Sequence, residues 1–278
     1  MAGRTIVITG ASDGVGAAAA KRLSRSGENV VVVGRSPQKT AAVADALEAD
    51  SFVADFSDLA QVRDLAQRLL DAYPRIDVLA NNAGGMVNTR ETTVDGFEKT
   101  FQVNHLAPVL LTTLLLDRLV QCRASVLNTS SMANKFVRTG FDDLDAVQKQ
   151  SGSVAYSSSK LANILFTKEL HRRYHGAGIS TAAFHPGPVA SNFSAEVDNP
   201  MFGVIYRSPL RHLALIGTEQ GSDELVWLAS ATPGVDWRSG EYYHKHKVAK
   251  ANKLADDAGM AERLWENSLE LLGERAVS

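Results

Sequence analysis

Short apolar runs alternate with longer amphipathic stretches along most of this chain. Thr5–Thr9, Asn29–Val33, Ser51–Ala54, Ile76–Ala80, Ala124–Asn128 and Ile179–Phe184 are brief, and most are rich in β-branched residues. They lack the polar alternation of half-exposed strands, so they predict strands buried on both faces. The intervening segments carry helix signals. Gly27 ends a helix over Ala17–Arg25, Ser36-Pro37 supplies an N-cap and a first-turn proline, and Ser57-Asp58 caps a further helix. A longer helix is expected from Ser153 to Arg173. This alternation predicts an α/β protein with a parallel, doubly wound sheet flanked by helices, its ligand site beyond the carboxyl ends of the strands.

Composition narrows the picture. With 278 residues, 45% of them hydrophobic, the chain can bury about three quarters of its unfolded surface in one core. No linker-like or low-complexity stretch and no internal repeat marks a boundary, so residues 1–278 are expected to form a single domain. A net charge of −2 with dispersed lysines and arginines argues against a nucleic-acid partner. The single Cys122 fits a reducing compartment. The first strand begins too early to leave room for a signal peptide, and no apolar run reaches the ~20 residues of a spanning helix. A cytoplasmic protein without a membrane anchor is expected. The apolar Leu110–Leu116 stretch suits a buried core helix or a subunit contact.

Candidate chemistry begins where the first strand meets the first helix, at Thr9-Gly10-Ala11-Ser12-Asp13-Gly14-Val15-Gly16. Gly10, Gly14 and Gly16 let backbone and helix N-terminus approach a pyrophosphate, whose charge the helix dipole favours, as in Rossmann-type domains. The end of the second strand discriminates between dinucleotides. Val33-Gly34-Arg35-Ser36 has no acid to grip a ribose 2′-OH, and the Arg35 guanidinium suits a 2′-phosphate. NADP(H) is therefore preferred and NAD(H) possible, with Asp13 a source of repulsion if it points toward the added phosphate. Beyond the third strand, Asp55-Phe56 places a carboxylate within reach of an adenine amino group, although Asp55 also suits a helix cap. Asn81-Asn82-Ala83-Gly84 lets the chain pass close to a cofactor, with its amides as contacts or as locks between loops.

Hydride transfer to a carbonyl needs a proton donor at the substrate oxygen. Tyr156 is the candidate, with Lys160 one helical turn away on the same face. Lowering a phenol from ~10 by roughly 3 units requires about 4 kcal/mol of preferential phenolate stabilisation, much of which an ammonium supplies. Ser131, beyond the fifth strand, is placed to orient the substrate carbonyl. Asn104 is placed to hold a water that returns the tyrosine's proton through the lysine.

Together these motifs resemble the short-chain dehydrogenase/reductase family over nearly the whole chain: Thr9–Gly16, Asn81–Gly84, Asn104, Ser131, Tyr156–Lys160 and Pro186-Gly187 occur in that family's order. The resemblance implies a catalytic tetrad of Asn104, Ser131, Tyr156 and Lys160, with Ser131 preferred over Ser130. It further implies Asn82 at the nicotinamide ribose, Val189 and Ser191 at the carboxamide, and a homo-oligomer. A narrower likeness is to the retinol dehydrogenase-like branch, in Tyr156-Ser157-Ser158-Ser159-Lys160-Leu161-Ala162-Asn163, His185-Pro186-Gly187, Ala261-Glu262-Arg263-Leu264-Trp265 and the 134–153 loop. Retinoid specificity is not carried over, because the membrane anchor common in that branch is absent before the first strand. An apolar lid over about 190–217, with Met201, Phe202 and Tyr206, points to a small apolar or aromatic carbonyl or alcohol as substrate.

Other classes make distinct demands. A sugar-nucleotide epimerase would show different glycine spacing. A cofactor-sensing binding protein would have lost part of the tetrad. A double-bond reductase of the protochlorophyllide reductase type would carry a cysteine near Tyr156, where Ala155 stands. No metal site is expected: His244 and His246 have no acid or thiol beside them and are assigned to a solvated segment.

Overall fold

The computed structural model describes residues 3–87, 89–141, 143–150, 152–189 and 216–274. Ser191 and the expected lid, apart from Ile216 and Gly217, lie outside them. Elements alternate as β1 (Thr5–Thr9), α1 (Gly14–Arg25), β2 (Asn29–Gly34), α2 (Pro37–Leu47), β3 (Ser51–Val53), α3 (Leu59–Ala72) and β4 (Val78–Asn81). The second half comprises α4 (Lys99–Phe101), a π-turn over Gln102–Leu106, α5 (Ala107–Leu114), α6 (Leu116–Cys122), β5 (Ser125–Thr129), a 3₁₀ turn over Met132–Phe136, α7 (Leu144–Gln148), α8 (Gly152–Tyr174) and β6 (Ser180–Phe184). After residue 215 come α9 (Thr218–Gly221), α10 (Asp223–Ser230), β7 (Glu241–His244), β8 (Lys247–Val248), a 3₁₀ turn (Lys253–Asp256) and α11 (Ala258–Leu271).

One sheet runs β3-β2-β1-β4-β5-β6-β7-β8, parallel throughout except for the antiparallel β7–β8 pair. Alternation along β1 builds two apolar layers, as the two-residue strand period requires. Ile6 and Ile8 join Leu23, Val30, Leu225 and Leu228 on the face covered by α1 and α10. Val7 joins Leu65, Leu111, Leu165 and Leu264 on the face covered by α3, α5, α8 and α11. The six expected strands all form, with ends moved by no more than two residues. β7 and β8 were not foreseen, because Glu-Tyr-Tyr-His and Lys-Val carry no apolar run.

Two expectations are resolved. The solvated segment expected for His244 and His246 holds from Lys245 to Val248, where His246 is exposed although it stacks on Trp227 at 4.7 Å, whereas His244 ends β7 half-buried and stacks on His185 at 3.8 Å. Leu110–Leu116 is core, with Leu110, Leu111, Leu115 and Leu116 buried, so the apolar surface proposed for a subunit contact is consumed within the chain. No single described helix is long and apolar enough to cross a membrane.

α11 seals the outer face of α8. Trp265, 2% exposed, stacks on Phe166 at 5.5 Å, and the Arg173 guanidinium sits 5.3 Å from the Trp265 ring. Trp265→Ala should therefore lower stability by about 3–5 kcal/mol, the usual range for an emptied aromatic core site. Urea unfolding checks it; a loss below ~1 kcal/mol would mean that α11 contributes little.

Candidate active site

The glycine turn is held from three sides. Asp13 caps α1 by accepting from the Gly14 amide at 2.8 Å, and its other oxygen pairs with Lys39 at 2.7 Å. That pair balances the charge expected to repel a 2′-phosphate. Gly16 cannot be replaced without displacement, because a Cβ there would lie 2.3 Å from the Gly10 carbonyl oxygen and 2.6 Å from Asn82 Nδ2. Ser12 lies over Gly34 at the end of β2, bringing the turn alongside the strand end that leads to Arg35. Val15 lies beside Gly221, which Val189 also approaches, so the turn meets the segment after β6. Arg35 is exposed.

Several expected cofactor contacts have structural duties. Asn82 Nδ2 donates to the Thr9 carbonyl (3.0 Å) and its Oδ1 accepts from the Thr129 hydroxyl (3.3 Å), so this side chain ties β1, β4 and β5 together. Asp55 Oδ1 accepts from both the amide (2.9 Å) and hydroxyl (2.8 Å) of Ser57 in the turn before α3, while Asp58 caps that helix by accepting from the Ala60 amide at 3.0 Å. Phe56 is buried, and its side chain belongs to the core.

Around the acid/base pair the geometry is tighter. Lys160 Nζ lies 5.4 Å from the Tyr156 ring centroid, and it donates to the Thr129 carbonyl at 3.2 Å. Tyr156 is half-buried, while Lys160 is 4% exposed. Gly84 opens the space above them: a Cβ there would stand 2.9 Å from Asn104 Oδ1 and 3.2 Å from Lys160 Nζ. Such a bare backbone cradle fits close approach of a nicotinamide ribose, and the glycine turn fits its pyrophosphate. Ser131 caps the 3₁₀ turn, accepting from the Ala133 amide at 3.2 Å. Ser130 faces inward and donates to the Lys160 carbonyl at 2.7 Å, which supports the preference for Ser131.

Asn104 is tied into the surrounding backbone. Its Nδ2 donates to the Gly85 carbonyl (2.8 Å) and Ser159 Oγ (3.0 Å), its Oδ1 accepts from the Gly85 amide (2.8 Å), and its backbone carbonyl accepts from Asn163 (2.9 Å). Asn104 thereby braces the Gly84–Gly85 turn.

Sequence reasoning missed Gly85, Ser159, Asn163 and Tyr242. The first three lie inside quoted motifs or next to them; Tyr242 had no signal because β7 was not foreseen. Tyr242 is pushed up by burial, with a further contribution from Tyr156. Its hydroxyl meets Asn134 Nδ2 at 3.3 Å, and Asn134 donates from the same nitrogen to the Ser131 carbonyl at 2.6 Å. Asn134 Oδ1 accepts from the Asn252 amide (2.8 Å), and Asn252 Nδ2 donates back to the Asn134 carbonyl (3.1 Å).

Comparison with known proteins agrees with this arrangement. The short chain dehydrogenase family model matches residues 4–201. A provisionally named daunorubicin C-13 ketoreductase, DnrU, of Streptomyces sp. (strain C5) is 41% identical over 99% of this chain and 94% of its own. Retinol dehydrogenase 13 of Homo sapiens is 35% identical over 99% of this chain and 86% of its own. The crystal structure of a short chain dehydrogenase from Burkholderia cenocepacia J2315 in complex with NADP superposes with a TM-score of 0.64 at 25% identity, covering 82% of this chain and 91% of that one.

Burial alone depresses Lys160 to about 8 from 10.5. Below pH 8 the folded protein carries a desolvated ammonium, which opposes folding by about 3 kcal/mol. That penalty fades as pH rises from 8 to 10.5, where the unfolded chain also loses the proton. Without cofactor, Lys160→Met should therefore be more stable than wild type at pH 7, with the gap closing above pH 10. Urea titrations at both pH values check it, and a pH-independent gap would contradict it. On the family match and these similarities, the chain belongs to the short-chain dehydrogenase family of oxidoreductases, alongside retinol dehydrogenases.

Proposed function

We propose that the chain interconverts an apolar or aromatic carbonyl and its alcohol, with NADP(H) preferred over NAD(H) and Tyr156 as acid/base. The observation that carries this is the buried Lys160 ammonium, 5.4 Å from the Tyr156 ring and beside the open Gly84 backbone. When bound, the nicotinamide supplies or receives the hydride at the substrate carbon. Tyr156 gives its hydroxyl proton to the oxygen of a carbonyl being reduced, and takes that proton back during alcohol oxidation. Lys160 stabilises the phenolate left behind. Ser131 donates to the substrate oxygen and sets its approach.

The apolar substrate class is supported by Met132, Phe136 and Val154, 47%, 57% and 57% exposed. They lie on the two elements that carry or adjoin Ser131 and Tyr156. The ketoreductase and retinol dehydrogenase names of the relatives agree with that class. Assembly as a dimer or tetramer and residence in the cytoplasm are proposals resting on sequence reasoning and family resemblance.

Tyr156→Phe should reduce turnover by more than a hundred-fold while leaving cofactor affinity within a few-fold, since one oxygen is lost and the pocket keeps its shape. Steady-state rates on a panel of aryl and alkyl ketones, with cofactor titration by fluorescence, test it. Cofactor binding by wild type without turnover of any carbonyl or alcohol would instead favour a cofactor-sensing protein.

The NADP preference rests on Arg35 and on neutralisation of Asp13 by Lys39. Removing one charge-assisted contact of about 1.5–3 kcal/mol corresponds to roughly ten- to hundred-fold in affinity. Arg35→Ala should weaken NADP(H) binding by that factor and leave NAD(H) nearly unchanged; equal losses for both would show that Arg35 packs on the adenine.

A further inference from the structure

A polar chain runs through the core from the reacting end of α8 to the outer helix α11. Asn163 Nδ2 donates to two backbone carbonyls, that of Asn104 at 2.9 Å and that of Thr129 at 3.1 Å. The second is also the acceptor of Lys160 Nζ at 3.2 Å. With two carbonyl partners the nitrogen end of the amide is assigned by chemistry, so Oδ1 points the other way, where His105 Nδ1 meets it at 3.3 Å. Nδ1 must then carry the imidazole hydrogen. Nε2 is left as an acceptor for the Ser268 hydroxyl, 3.1 Å away on α11. Asn163, His105 and Ser268 are all buried, and burial keeps His105 neutral, with its pKa pushed down to about 4. Every donor and acceptor in this sequence has one consistent direction.

The arrangement matters because of what surrounds Lys160. Only burial shifts this ammonium, and no neighbouring charge among the described residues offsets it. Its direction therefore depends on which neutral acceptors are open to it. Asn163 donates to the Asn104 carbonyl and shares that of Thr129 with the ammonium. Two of the three ammonium hydrogens are thereby left for groups on the Tyr156 side.

We propose that Asn163 is a positioning residue for Lys160, and that His105 and Ser268 hold its amide from outside the site so that the ammonium serves Tyr156 instead of the backbone. This rests on the acid/base assignment of Tyr156. Without the amide, the Thr129 carbonyl keeps the ammonium as its remaining donor and draws it inward more firmly. The phenolate loses support, and alcohol oxidation then requires a higher pH.

The test is the pH profile of kcat for alcohol oxidation at saturating cofactor. Asn163→Leu should lower kcat at pH 7.5 about ten-fold and move the rising limb upward by about one pH unit, with the substrate KM within roughly two-fold, as expected for the loss of one polar contact. His105→Leu should move the limb in the same direction. His105→Asn, which keeps an N–H near the Nδ1 position, should restore it. The His105 pair makes the comparison if Asn163→Leu does not fold. A uniform fall in kcat at every pH, or a limb that stays in place in folded variants, would reduce Asn163 to a packing role and overturn the proposal. Absence of Tyr156-dependent turnover in wild type would instead strike the acid/base assignment, so the two failures are distinguishable.

Discussion

The constraint to which this site conforms is a lysine ammonium buried without a countercharge among the described residues. Such a group costs free energy wherever it is placed, and proteins retain it where proximity to a reacting group compensates. Here it is tolerated because backbone dipoles stand in for a carboxylate. β5 ends with its Thr129 carbonyl aimed at the ammonium, and α8 brings Lys160 beneath Gly84. A π-turn over Gln102–Leu106 interrupts the preceding helix where Asn104 must reach both the Gly85 backbone and Ser159. Irregular turns of this kind recur at functional sites because an extra residue redirects a side chain without ending the helix. A carboxylate in place of the dipoles would hold the charge more firmly, and would compete with the phenolate for it.

Much of the sheet was legible because parallel strands buried on both faces leave an unambiguous apolar record. The glycine turn, the serine after β5 and the Tyr156–Lys160 spacing were legible because hydride transfer and phosphate binding require particular groups in a set order. What escaped was context. Asp13 read as a threat to a phosphate because its partner Lys39 is 26 residues away. The stacking of half-buried His244 on His185 and of exposed His246 on Trp227 is invisible in local sequence. The bracing role of Asn104 escaped because nothing near it announces that Gly85, Ser159 and Asn163 bond to it. In each case the partner is supplied by another part of the chain, and for the histidines the β7–β8 hairpin that carries them was itself not foreseen.

The two halves of the sheet divide the work differently. Strands β1 to β3 and the turns after them present backbone, glycine and cationic side chains, which suit a ligand of fixed shape. The ends of β5, α8 and the 3₁₀ turn after Ser131 present hydroxyls and an ammonium beside the apolar side chains of Met132, Phe136 and Val154. That side can vary in shape without disturbing the dinucleotide side, because Asn82 and the buried Asn81–Asn128 amide pair, 2.9 Å apart, lock the strands between them.

The clasp between Asn134 and Asn252 has a consequence for synthesis. These residues are 118 positions apart, yet the backbone next to Ser131 is held in place by their contact. A ribosome releases Ser131 and Asn134 well before Asn252, so this anchor of the serine cannot form until the C-terminal segment has emerged. The backbone beside Ser131 is thus among the last parts of the site to be fixed, and its long loop closure makes it dependent on the far end of the chain.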